Sequence, residues 1–79
     1  MKFILNYFIL RTPTNTLSDL DLLFENTISN LPIDSQIAYC QRLIERSQYY
    51  LKRTNNKERS AHLEKLIKAA EIEIGRLSN

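Results

Sequence analysis

Leu63, Ile67, Ala70, Ile74 and Leu77 recur at alternating steps of four and three residues. That spacing draws one apolar seam along a helix, and the seam has to be buried against a second helix. The segment upstream supplies one. At about 100° per residue, Ile37, Tyr39, Cys40, Leu43, Ile44, Tyr50 and Leu51 cover an arc of roughly 160°. This is wider than a single flanking helix requires, so the segment is expected at the centre of the fold, contacted from two sides. The "RTNN" between them, residues 53–56, reads as the turn of a hairpin.

One more helix precedes this pair. Leu17, Leu20, Leu23, Phe24, Ile28 and Leu31 fall in one helical stripe, and Thr16 with Asp19, or Ser18 with Asp21, has the spacing of a capping box. "SNLP" closes that helix, because a residue before proline is pushed out of the helical region. The next is expected to start on Asp34 as N-cap, and the last near Asn56 or Lys57, where Asn55 and Glu58 have capping-box spacing. The expected fold is therefore mainly α, with helices over about 17–31, 34–53 and 57–77 forming a helical hairpin or small bundle. A single glycine and two prolines in 79 residues leave too few turn formers for a small barrel or sandwich. A chain of this length makes one small domain, residues 1–79, with a thin core.

The N-terminal run "FILNYFIL", residues 3–10, has β-favouring side chains and no helix start signal. As a strand it would be apolar on both faces. The competing reading is a buried helix, since short apolar runs do not settle the period. An extended segment of this kind needs a partner strand, and a second copy of the chain would supply it. Phe3, Leu5, Tyr7, Phe8 and Ile9 are accordingly the expected homodimer interface, joined to the helical part 16–79 by the linker "RTPTNT". The same run is too short to span a bilayer and lacks a small-residue cleavage site, so it is read as part of a mature, soluble, cytoplasmic protein.

Chemistry is excluded mainly by what the sequence omits. One glycine cannot build a phosphate-cradling loop or a dinucleotide fingerprint. Cys40 is the only cysteine and His62 the only histidine, which is too few for a structural zinc set and rules out an intrachain disulfide. Cys40 falls within the apolar arc and is expected to pack as a small hydrophobe. Glu64, Glu71 and Glu73 lack the Glu-x-x-His spacing of di-metal bundles and are expected to be solvated partners of Lys68 and Arg76. No enzyme activity, cofactor or metal is expected.

Charge is regional. Residues 1–40 carry a net charge of −2 and residues 41–79 a net +4, with most of the excess between Arg42 and Arg59. On a helical wheel Arg42, Arg46, Tyr49 and Arg53 fall within about 60°, opposite the apolar arc. Lys52 and Lys57 extend the charge around the elbow. These six residues are the expected partner-binding surface. Guanidinium groups fork onto carboxylate or phosphate, and tyrosine stacks on a base or on an apolar surface. Alternatively, Tyr49 only shields its ring beneath the arginine stems on a solvated face.

The run "LPIDSQIAYCQRL" is similar to the second-helix start of Rop-type RNA-binding hairpins at Asp34, Gln36, Cys40 and Leu43. "ISNLP" before a helix resembles sigma-factor-like domains, but no helix-turn-helix follows. Neither likeness carries over a functional residue. The expectation is a small regulatory or adaptor protein that acts by binding a protein partner, acidic where it meets the basic face, as a homodimer. A nucleic-acid-binding regulator is the alternative, and a structural subunit of a larger assembly the third reading.

Overall fold

The computed structural model describes residues 16–79, and all of them outside turns are helical or extended connections, with no strand among them. The arm proposed as a dimer interface, Phe3 to Ile9, lies outside the described residues. Two short helices, α1 (Leu17–Leu20) and α2 (Leu22–Asn26), and a 3-10 turn (Ile28–Asn30) lead into α3 (Ile33–Leu51) and α4 (Lys57–Ser78). The α3–α4 hairpin is the body of the fold, as the seam predicts. The α1–α2 segment packs onto it: Leu17 and Phe24 are buried together with Cys40, Ala69 and Ala70. Helix α3 is thus touched from two sides, by α4 and by the segment that precedes it.

The first expected helix, 17–31, is broken at Asp21. Its N-terminus forms as anticipated, with a complete capping box between Thr16 and Asp19. Asp21 then adopts an extended backbone, φ −131° and ψ 103°, and its Oδ1 accepts the amide hydrogens of Leu23 (3.1 Å) and Phe24 (3.4 Å). An aspartate that caps the following helix ends its own. Its Oδ2 accepts the hydroxyl hydrogen of Tyr39 on α3, which fastens the break to the hairpin. The interruption resets the helical phase. Leu17 and Phe24 still face the core, but Leu23 and Leu31, expected in the buried stripe, are turned outward.

Two other boundaries differ for local reasons. Helix α3 begins at Ile33 with Pro32 in the cap position, and the Pro32 carbonyl accepts the amide hydrogens of Ser35 and Gln36. Asp34 is inside the first turn, where its charge suits the positive helix end. The helix stops at Leu51, tightened by the Arg53 amide reaching the Tyr50 carbonyl three residues back. Helix α4 starts at Lys57 as expected, with Asn56 rather than Asn55 as its cap, the Asn56 side chain accepting from the Arg59 amide at 2.9 Å.

The seam of α4 is also rotated. Its buried positions are Leu63, Ala69, Ala70 and Glu73, with Leu66 half-buried beside them. Their mean direction is roughly 50° round from the line through Leu63, Ile67, Ala70, Ile74 and Leu77. Helix α4 has to face both α3 and α1, and the paired alanines are buried in one cluster with Leu17 of α1. Rotation puts Glu73 inside, contrary to the expectation of a solvated acid. Its buried carboxylate is held by the exposed Arg76 guanidinium, the only ion pair among the described residues.

Polar groups also occupy the seam of α3, whose buried positions are Gln36, Cys40 and Ser47, with Leu43 half-buried between them. The Gln36 side-chain amide donates to the carbonyls of Leu31 (2.8 Å) and Ser29 (3.2 Å). It thereby satisfies two acceptors of the connection that enters α3.

Candidate interaction surface on the outer face of α3

Arg42, Arg46, Tyr49 and Arg53 lie along one exposed face of α3 and its C-terminal turn, about 120° round from the buried seam. Both sets repeat at steps of four, three and four residues. They run parallel to one another along the helix. Arg42 and Arg53 are about 16 Å apart along the axis. Lys52 is exposed at the C-cap, roughly 100° off this strip, and Lys57 opens α4 on the far side of the turn. The six expected residues therefore divide into a straight strip of four and two flanking cations.

Within the strip, Arg53 and Tyr49 are joined. The guanidinium carbon of Arg53 sits 3.8 Å from the centroid of the Tyr49 ring, and Nη1 donates to the Tyr49 carbonyl at 3.1 Å. A stack plus a hydrogen bond fixes a long side chain that would otherwise sample many rotamers. Tyr50, within the expected apolar arc, is exposed instead, and its ring meets that of Tyr49 edge-on with centroids 5.2 Å apart. Tyr49 is thus flanked by its neighbours, and Arg53 covers one of its two faces. Arg42, Arg46 and Arg53 have no acidic partner within the described residues. Glu45 borders the strip, exposed and unpaired.

Cys40 and Tyr39 are held in their neutral forms. Burial pushes the Cys40 thiol up to about 11, helped by the nearby Glu73 and Asp21 carboxylates, so it stays protonated and unreactive near neutral pH. Burial, and then the hydrogen bond to Asp21, raises the Tyr39 phenol above its ordinary value. Cys40 is wholly enclosed by the core, whereas His62 is exposed about two turns before Ala69 on α4, so the fold does not bring the two together. His62 lines an open depression with Asn56, Glu58, Arg59, Leu63 and Leu66. No group of acidic, histidine and cysteine side chains among the described residues is arranged to hold a metal, and no helix among them is long and apolar enough to cross a membrane.

A second surface is apolar. Leu22 is 71% exposed, Leu23 53%, Leu31 41% and Ile33 53%, all between α2 and the first turn of α3. Leu22 lies off the apolar stripe of its segment and Ile72 off the seam of α4, and both are exposed. Leu23 and Leu31 join them because of the break at Asp21, which no apolar periodicity signals. No protein-family model, curated protein or solved structure matches this chain.

Proposed function

We propose that the protein is a small regulatory or adaptor module without catalytic activity, which docks an acidic protein partner on the strip Arg42–Arg46–Tyr49–Arg53. The observation that carries this reading is the strip itself. Three exposed arginines lacking intramolecular carboxylates share one helix face, and one of them is held by the ring of Tyr49. A solvated surface has no need for that fixation. A guanidinium with its rotamer already restricted loses less entropy on meeting a carboxylate. Nucleic acid is the less favoured partner, since Arg53 covers one Tyr49 face on which a base would stack.

Capture from nuclease-treated extract of the source cells tests this. The wild-type chain is expected to retain an acidic protein that the R42E/R46E/R53E variant loses. An identical set on both baits overturns the reading. So does tight binding of an RNA or DNA oligonucleotide with a steep salt dependence that the variant abolishes.

The same reading makes the protein a homodimer. The exposed Leu22, Leu23, Leu31 and Ile33 lie close together in the chain and exceed the scattered apolar exposure usual for a small monomer, and the sequence of residues 3–10 is apolar as well. Light scattering is expected to give twice the chain mass, falling to the chain mass when residues 1–11 are deleted. A monomer both with and without them removes the dimer from the proposal.

A further inference from the structure

Building on the acidic-partner reading, we infer that the occupant of the α3 strip is itself a helix, with carboxylates at steps of four, three and four residues. The spacing of the strip points to it. Arg42, Arg46, Tyr49 and Arg53 repeat at the heptad steps by which α3 buries Gln36, Cys40, Leu43 and Ser47. Helix α3 therefore carries two parallel lines, one buried by α4 together with the segment that precedes α3 and one without a partner among the described residues. A loop or an extended strand has a rise of about 3.3 Å per residue and alternates its faces, so it falls out of step with such a line within two contacts. A second helix keeps step along all of the roughly 16 Å.

Charge complementarity fixes the chemistry of that helix. Its contacting positions are Glu or Asp where they face Arg42, Arg46 and Arg53, and the position over Tyr49 is apolar. Arg53 offers its fork in one orientation, because its Nη1 is held by the Tyr49 carbonyl and its plane by the ring. Glu45 at the border disfavours an acid on that side and so helps to set where the incoming helix lies.

The test uses the full chain and two synthetic helical peptides of equal length, composition and net charge. One carries glutamates at the four–three–four spacing, and the other carries the same glutamates dispersed around the helix. Fluorescence anisotropy at low and at physiological salt reads their affinities. The matched peptide is expected to bind about tenfold more tightly than the dispersed one. R42E/R46E/R53E is expected to abolish that preference. Tyr49→Ala, which removes the ring beneath Arg53, is expected to weaken the matched peptide several-fold, and Tyr49→Phe to leave it unchanged. All these positions are exposed, and circular dichroism confirms that the variants stay folded. Equal binding of both peptides overturns the helical occupant while leaving an acidic partner in place. Binding of neither overturns the inference, and the acidic-partner reading then stands or falls on the capture experiment.

Discussion

Phe24→Ala lowers the unfolding free energy by about 3–5 kcal/mol, as expected for deleting a buried aromatic ring. For a single thin core that is most of the stability available. Phe24 is almost fully buried against Cys40, Ala69 and Ala70, and its ring lies 6.0 Å from that of Tyr39. Since α2 is only five residues long, it cannot persist without this contact. Urea denaturation followed by far-ultraviolet circular dichroism should show a shallow transition at low denaturant, with α3 and α4 retaining part of their helicity. Leu22→Ala is the control. Its side chain is exposed, so its effect stays within about 0.5 kcal/mol. Equal costs for the two variants would mean that α2 does not dock through Phe24.

Asp21→Ala has the second large effect, about 2–3 kcal/mol. It removes a helix cap, worth about 1 kcal/mol, and the acceptor of a charge-assisted hydrogen bond, worth about 1.5 kcal/mol or more. Tyr39→Phe removes only the bond and should cost about 1–2 kcal/mol. Because the two residues share it, the double variant should be less destabilised than the two singles together, by about 1 kcal/mol. Strict additivity in that cycle would show that the Tyr39 hydroxyl contributes nothing to holding the break. Neither residue belongs to the α3 strip, so peptide binding should survive both changes in whatever fraction stays folded.

The residues that the sequence places well are those whose burial follows from their own chemistry. Leu63, Ala70 and Cys40 are apolar at helical spacing and are buried; Arg42, Arg46 and Arg53 are charged and lie on an exposed face away from that seam. The hairpin and the strip are both legible on that basis. Asp21, Gln36 and Glu73 are not, because a polar side chain goes inside only where a partner meets it. For Asp21 the decisive partner, Tyr39, is 18 residues away. For Gln36 the partners are carbonyls of a connection whose shape is not visible in any periodicity. Glu73 follows from a rotation of α4 that only the approach of α1 explains. The fixation of Arg53 was readable as a local possibility, since Tyr49 and Arg53 are four apart on one face, but not as a reason for an exposed site.

Gln36 has a consequence for how the chain enters the hairpin. Its acceptors, the carbonyls of Leu31 and Ser29, lie five and seven residues upstream, so the contact needs only the first turn of α3 and no residue of α4. An apolar residue in that place would fill the space but leave both carbonyls without the partner they have here. The side chain that interrupts the apolar seam therefore acts as a clasp on the bend that leads into α3, and fixes the direction from which the preceding turn meets the hairpin.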